Sequence, residues 1–299
     1  MDTPTPPPKP AHPLSAEQLA AFERDGVVIV RGLFSPDELE VLRATCDPAR
    51  DLSELQTEVR DGARTYKVAI WTRLDESLFG KLPRTPRVVR AAEALLGEPV
   101  YHWHSKLLRK LPGDGGVGIH QDYATWYEDG CLGPQMLTCT VAIHRNDRAN
   151  GCVAFVPGSH KLARIHRVRL GETSDTHGPE PARVAEILRR RGQIHGELEP
   201  GDALFFHCMT LHASGPNLSA TPRSVVHLSY NAVSNQPIPR PGQAHHRYRP
   251  LALVADDYLR ARDYSAVYEA DTFHARETED DPAAGIFYRQ RDQDVDAHG

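Results

Sequence analysis

The hydrophobic pattern of the first third of the chain predicts a mixture of helices and strands. Ser15 can cap a first helix, whose pattern ends at Gly26, and a capping box from Ser35 to Glu38 leads into a second helix. The predicted elements are a helix over Ala16–Asp25, a buried strand over Val27–Val30, a helix over Leu39–Cys46, a strand over Tyr66–Trp71 and a short helix from Thr85 to Gly97.

From Val100 onward, short runs rich in β-branched and aromatic residues replace the helical period. These runs are Val100–Leu108, Cys139–Ile143, Cys152–Val156, Asp202–Phe206 and Ser224–Asn231. Glycine, proline, asparagine and aspartate separate them, as in the turns between antiparallel strands. The pattern predicts a mainly β fold with flanking helices, either an antiparallel barrel or a double-stranded β-helix (jelly roll) of the cupin type.

The remaining segments set the domain limits. Residues 1–14 are rich in proline and lack hydrophobic periodicity, which predicts a disordered tail before a single domain over residues 15–299. An amphipathic helix is predicted over Pro181–Arg191, and the polar loop Gly171–Glu180 before it is either a lid or a surface excursion. The charged C-terminal region, with an acidic run over Glu277–Asp281, is predicted to wrap the surface or to fray.

Composition narrows the class of protein. The chain has 299 residues and 40% hydrophobic content, which suits one large domain, although two small domains are possible. The net charge of −5 comes with scattered Lys and Arg residues, so we expect neither a nucleic-acid nor a membrane partner. There is no apolar run of transmembrane length and no secretion signal, so we expect a cytoplasmic protein. Its five cysteines lack a CxxC pair, which predicts reduced, mostly buried thiols.

Candidate chemistry begins at Gly118–Trp126, where His120 and Asp122 lie two residues apart in a sequence that reads as extended. On a strand both side chains would point to one face and could supply two ligands of a 2-His-1-carboxylate iron site. An isolated His-x-Asp is more often a chance surface pair, so the prediction depends on a third ligand. His212, 92 residues after His120, is the preferred one, and His207 competes but reads as part of the preceding strand.

A further charged residue follows His212 after a Gly-Pro-Asn turn. Arg223 can return beside the metal on the next strand. There its planar guanidinium could hold the far carboxylate of a dicarboxylic keto acid, while the other end of that acid chelates iron.

These motifs together resemble the phytanoyl-CoA dioxygenase family of Fe(II)/2-oxoglutarate oxygenases. The resemblance rests on His120-x-Asp122, His212–Asn217, Pro222-Arg223, Lys106–Pro112 and Val156–His160, and it runs from about Ala21 to about Asn235. It implies that His120, Asp122 and His212 bind Fe(II). It also implies that Arg223, with Ser214 and Lys110, binds 2-oxoglutarate, although a solvated strand lysine is the default interpretation of Lys110.

The implied reaction uses O₂ and 2-oxoglutarate to hydroxylate an unactivated C–H bond, with release of succinate and CO₂. Asp122 favours hydroxylation, because halogenating relatives replace this carboxylate with a small residue. Two alternatives remain open: a cupin-like metal enzyme that does not use 2-oxoglutarate, which would not need Arg223, and a non-catalytic jelly-roll binding module.

Within the family, the local likeness is greatest to ectoine hydroxylases. They share Thr125-Trp126, Glu128–Gly130 and the run Tyr230–Asn235, but they carry aromatic or apolar residues in place of His227 and Ser229. The implied substrate is therefore a small polar metabolite, amino-acid-derived or ectoine-like; a natural product or an acyl-CoA is the alternative. The candidate substrate contacts are Gln121, Trp126 and His227, each of which could equally be a packed structural residue.

Overall fold

A computed structural model describes residues 12–52, 55–61, 64–170, 177–239 and 247–269. The strands are β1 (Val27–Val30), β2 (Thr57–Asp61), β3 (Arg64–Trp71), β4 (Val100–Lys110), β5 (Val117–His120), β6 (Met136–Ala142), β7 (Val153–Phe155), β8 (Arg167–Arg169), β9 (His177–Pro179), β10 (Ile194–His195), β11 (Ala203–His207), β12 (His212–Ser214) and β13 (Arg223–Ala232). The helices are α1 (Ala16–Asp25), α2 (Glu40–Thr45), α3 (Leu78–Lys81), α4 (Pro86–Leu96), α5 (Asp122–Glu128), α6 (Pro181–Arg191) and α7 (Tyr258–Ala261).

Two antiparallel sheets form the body of the molecule. The larger has the strand order β1-β11-β6-β13-β4-β3-β2, and the smaller has the order β10-β7-β12-β5. Apart from the consecutive strands β2, β3 and β4, neighbours in both sheets are distant in sequence, as in a double-stranded β-helix, so the predicted mainly β, cupin-like jelly roll is confirmed. Helix α4 packs on β4, β6 and β13, which places the main apolar core on the outer face of the larger sheet.

Local sequence signals explain the first helices, with one correction. Ser15 and Gln18 cap α1 reciprocally. The predicted box at Ser35 forms only in part: the Ser35 N–H donates to Glu38 Oε2 at 2.8 Å, but α2 starts at Glu40 without a side-chain cap. Glu38 also accepts a hydrogen bond from Arg87 at 2.8 Å, so its carboxylate ties α2 to α4. The capping residues therefore form a turn in front of the helix.

The predicted segments outside the sheets have mixed outcomes. Residues 1–11, 171–176 and the acidic run over Glu277–Asp281 lie outside the described residues, and Leu14, at the end of the predicted tail, is buried. After Pro239 the chain does more than wrap the surface, because Tyr258 is fully buried in the main core. The five cysteines are free and buried, as predicted. None of the described helices has the length and apolar character needed to cross a membrane.

Candidate metal centre and anion pocket

Two histidines distant in sequence meet where β5 pairs with β12. His120 ends β5 and His212 begins β12, and they are direct partners in the antiparallel register. Their ring centroids lie 4.2 Å apart. Cross-strand partners on one face are close neighbours, so the strand pairing itself brings the two imidazoles together.

Asp122 reaches the same place by a route that the sequence pattern did not predict. The predicted strand through both His120 and Asp122 is wrong: β5 ends at His120, Gln121 is the extended N-cap, and Asp122 is the first residue of α5. An acidic residue is favoured in the first turn of a helix by the positive N-terminal end of the helix dipole. The change from strand to helix turns the carboxylate back toward His120.

The ligand atoms point at one another. Asp122 Oδ1 lies 3.4 Å from His120 Nε2 and 3.8 Å from His212 Nε2. One ligand atom from each of the three residues lies within 4.8 Å of the others, and no further His, Cys, Asp or Glu among the described residues joins this group. A metal ion bound by these three would keep coordination positions open for other ligands.

Backbone carbonyls fix the orientation of both imidazoles. His120 Nδ1 is 2.8 Å from Gly118 O, and His212 Nδ1 is 2.9 Å from Thr210 O. A carbonyl only accepts, so each Nδ1 must carry the proton and each Nε2 keeps its lone pair. This is the outer support that metal-binding histidines have in proteins, and the three residues therefore fit a divalent metal ion.

The electrostatics of the cluster agree with that fit. Burial raises the pKa of Asp122, but His212 and His120 outweigh it and hold the pKa below its usual range. Burial, followed by the charge of His120, lowers the pKa of His212 to about 4. A charged carboxylate and a neutral imidazole are the forms that bind a metal at neutral pH.

A second polar site is built at the N-terminal end of β13. Arg223 is 1% exposed, and its Nε donates to Asn146 Oδ1 at 2.5 Å. Burial lowers the pKa of Arg223 to about 10, so the group stays charged at neutral pH. No carboxylate among the described residues forms an ion pair with it. A buried guanidinium without a counter-ion is costly unless an anion binds there.

Lys110 and Ser214 belong to this pocket. Lys110 is the register partner of Arg223, is fully buried, and donates from Nζ to Ser214 Oγ and Gly215 O, both at 2.8 Å. The structure thus brings together the three residues that the sequence predicted for co-substrate binding. Two buried cations and a hydroxyl form a pocket suited to a carboxylate.

Two of the predicted substrate contacts are engaged elsewhere. The Gln121 amide donates to Met209 O at 2.9 Å and accepts from Ile165 N–H at 2.8 Å, so both of its polar ends hold backbone segments. Trp126 is 3% exposed, and the centroid of its ring lies 5.6 Å from that of His104. Their contact with a substrate stays a prediction.

The third predicted contact, His227, lies on the inner face of the larger sheet. Its Nδ1 is 2.8 Å from Thr140 Oγ1, and its register partner on β4 is Lys106. His227 and Lys106 are both partly exposed to the space between the sheets. Lys106 was not among the predicted site residues, although its spacing of four from Lys110 on one strand already places the two on the same face.

The alternative ligand His207 lies outside the cluster. It ends β11, the centroid of its ring lies 6.3 Å from that of Phe22, and its Nδ1 accepts the Met209 N–H at 3.1 Å. Asn146, which orients Arg223, was missed because an asparagine 77 residues away carries no local signal.

Mononuclear non-haem metal proteins of the cupin-like type combine a jelly roll with a cluster of two histidines and one carboxylate. This chain has both features. The family profile described as "Phytanoyl-CoA dioxygenase (PhyH)" matches residues 22–225, and the chain belongs to this family. The family predicted from the sequence motifs is confirmed.

Known proteins similar to this chain include ectoine dioxygenases. The one from Bordetella parapertussis is 32% identical over 241 residues, which cover 75% of this chain and 78% of the relative. The structure of EctD from S. alaskensis with 2-oxoglutarate and 5-hydroxyectoine is 29% identical and has a TM-score of 0.65, over 81% of this chain and 87% of that one. The same protein with bound Fe gives the same values.

Proposed function

We propose that the chain is an Fe(II)- and 2-oxoglutarate-dependent hydroxylase that acts on a small polar metabolite. The observation that supports this most is the combination of two sites on one interior: a 2-His-1-carboxylate cluster and a buried arginine with no carboxylate partner among the described residues. A metal enzyme that does not use a dicarboxylic co-substrate has no use for the second site.

In this proposal His120, Asp122 and His212 hold the iron. When bound, the metal would supply oxidative decarboxylation of 2-oxoglutarate to succinate and CO₂, in which one oxygen atom of O₂ enters succinate and the other enters a C–H bond of the substrate. The chain supplies orientation. Gly118 O and Thr210 O fix the two imidazole planes, so the ligand geometry is set before the metal arrives.

Arg223 and Lys110 position the co-substrate. The Asn146 side chain fixes the plane of the guanidinium, whose terminal N–H groups can then pair with the distal carboxylate of the keto acid. Lys110 holds Ser214 Oγ beside that carboxylate. Phe155 and Phe206, with ring centroids 5.3 Å apart, pack against the His212 ring and keep water from this side of the metal centre.

The substrate class follows from the relatives and from the pocket. Proteins named ectoine dioxygenase support a small polar substrate. His227, which is partly exposed, makes this pocket more polar than the aromatic or apolar residue expected at its position in ectoine hydroxylases. We therefore propose an ectoine-like or amino-acid-derived metabolite. Cytoplasmic location stays a prediction.

The test is succinate formation by protein loaded with Fe(II) without oxygen and then exposed to O₂ and 2-oxoglutarate. We expect slow uncoupled succinate formation, stimulated by one member of a panel of ectoine, free amino acids, betaines and acyl-CoAs. Iron binding without any succinate would refute the proposal.

A pair of variants tests the choice of the third ligand. His212→Gln should lose iron binding and lower succinate formation by at least 100-fold, because the cluster is left with two ligands. His207→Gln should retain both, because His207 lies outside the cluster. Iron content by atomic absorption and succinate by chromatography are the measurements. Loss of iron in His207→Gln with retention in His212→Gln would reverse the assignment.

A further inference from the structure

The inner face of the larger sheet carries its polar residues in separate cross-strand rows. The Arg223 row consists of Arg223 and Lys110. The next row toward the other end of β13 is apolar and contains Val225, Leu108 and Ala142. The row after that, here called the Lys106 row, contains Lys106, His227 and Thr140. An apolar row thus separates two positively charged positions on one wall.

The Lys106 row lies on the same interior as the metal centre. The charges of Lys106, Arg223 and Asp122 all act on His227, and Lys106 also acts on His212. Next in the sheet comes a buried polar row of Ser229, Thr138 and His104, in which Ser229 Oγ lies 2.9 Å from Thr138 Oγ1. Lys106 and His227 are partly exposed, whereas this last row is buried. The Lys106 row is therefore the accessible polar surface next to the cluster.

The ammonium group of Lys106 forms no salt bridge with any carboxylate among the described residues. Burial lowers the pKa of Lys106, while the carboxylates of Asp122 and Asp129 act in the opposite direction without direct contact. Asp122 is assigned to the metal. An ammonium in such a desolvated place, with no carboxylate among the described residues in direct contact, is stabilised when an anion binds beside it.

The spacing of the rows separates this cation from the one that binds the co-substrate. His227 follows Arg223 by four positions on β13, which corresponds to about 14 Å along an antiparallel strand. This is a separation between backbone positions, and the charge of Arg223 still acts on His227 across it. The backbone spacing of about 14 Å exceeds the length of a five-carbon diacid. An anion at Lys106 is therefore a different group from the distal carboxylate at Arg223.

Resting on the proposed function, we propose that the Lys106 row is the substrate-recognition site and that Lys106 pairs with a carboxylate of the substrate. The hydroxylated molecule is then a small carboxylic acid, and His227 Nε2 supplies a neutral hydrogen bond to a second polar group of it. His227 Nδ1 is engaged by Thr140, and Nε2 makes no hydrogen bond to another described residue. The row sets specificity, and the metal centre sets the reaction.

The experiment compares acids with their amides as substrates. Iron-loaded wild-type protein is given 2-oxoglutarate, O₂ and matched pairs: ectoine and its carboxamide, L-proline and L-prolinamide. We expect at least one acid to stimulate succinate formation, with its amide at least 10-fold less efficient in kcat/KM. Equal stimulation by acid and amide, or stimulation by none of the acids, would overturn the carboxylate class.

Variants then locate the contact. Lys106→Met keeps the aliphatic stem and should raise the KM for the active acid at least 10-fold, with a much smaller change in the KM for the keto acid co-substrate. Lys106→Arg keeps the charge and should recover part of the loss. Lys67→Met is the matched control, because Lys67 is exposed on neighbouring β3.

Two other outcomes have distinct meanings. A selective rise in the KM for the keto acid in Lys106→Met would assign Lys106 to the co-substrate and overturn the proposal. Uncoupled succinate formation by wild-type protein, measured without any panel compound, reports on the proposed function separately. Iron binding with no succinate, either without or with the panel compounds, would refute that function, whereas uncoupled succinate formation with no response to the acids would refute the recognition site alone.

Discussion

At the scale of single residues, hydrogen bonds to the backbone decide which atoms are available for chemistry. His120 and His212 each bind the carbonyl two residues earlier through Nδ1. The same local arrangement on two strands leaves two Nε2 lone pairs facing one carboxylate. Arg223 is oriented in a comparable way by Asn146, so its terminal nitrogens remain for a ligand.

The geometry of Arg223 gives a residue-scale prediction. Arg223→Lys keeps the charge but loses the planar fork and the bond to Asn146. Hydrogen bonds to charged groups contribute about 1.5–3 kcal/mol, so the KM for the keto acid co-substrate should rise roughly 10- to 100-fold. Iron binding should be unchanged, because Arg223 is not part of the metal cluster. Steady-state kinetics and iron titration are the measurements.

Arg148→Lys is the control for this substitution. The Arg148 side chain is 70% exposed and pairs only with Glu197, at 3.3 Å, among the described carboxylates. The Arg148→Lys substitution should leave the KM for the keto acid unchanged. An Arg223→Lys protein with wild-type KM would show that the co-substrate carboxylate binds elsewhere.

At the scale of elements, the junction of α1 and β1 is held by a glycine. Gly26 adopts φ +75°, caps α1 by donating its N–H to Phe22 O at 2.8 Å, and accepts the His207 N–H at 2.9 Å. A Cβ at this position would collide with His160 Nδ1 and Thr210 Oγ1. The glycine is needed both for its backbone conformation and for this close approach.

A comparison of two glycines separates these effects. Gly32 also has positive φ, at +60°, but a Cβ there would meet nothing within 4 Å. Gly32→Ala should cost only the left-handed conformation, about 1–2 kcal/mol of unfolding free energy. Gly26→Ala should cost roughly 1–3 kcal/mol more, because it also overpacks the junction. Urea denaturation of both variants measures the difference, and equal losses would contradict the clash.

Elements with clear signals at both ends were predicted correctly. Helix α4 has Pro86 at its start and Gly97 in a left-handed C-cap, and the structure has it where the sequence indicated. The His120–Asp122 segment was predicted as a strand because its local pattern is extended. At Asp122 the chain instead enters a helix, which brings the carboxylate to the two histidines, and the pattern of alternating residues does not indicate this change.

At the scale of the whole molecule, the C-terminal segment completes the helical side of the core. Tyr258 is fully buried, and its hydroxyl lies 3.3 Å from Thr85 Oγ1. Lys81 donates to Asp263 O at 2.6 Å, which ties the segment to α3. A region that the sequence suggested as a surface wrap therefore contributes an anchor to the fold.

Removal of this anchor should destabilise the protein. Tyr258→Ala leaves a cavity in the main core and should lower the free energy of unfolding by about 3–5 kcal/mol. Leu253→Ala, on the same segment with Leu253 44% exposed, should stay within about 0.5 kcal/mol of wild type. Chemical denaturation followed by fluorescence is suitable for both. Similar small losses would mean that the segment contributes little to the core.

The sequence by itself determined most of the local elements, the fold class and the family, and it supplied the candidate site residues as predictions. These properties depend on periodicity, capping residues and short motifs, each of which is local in the chain. Only the tertiary structure decided that Lys106 faces His227, that Asn146 orients Arg223, and that Gln121 and Trp126 are held by backbone atoms and packing. These relations depend on strand register between distant segments, and a one-residue shift in register would reverse which face each side chain occupies.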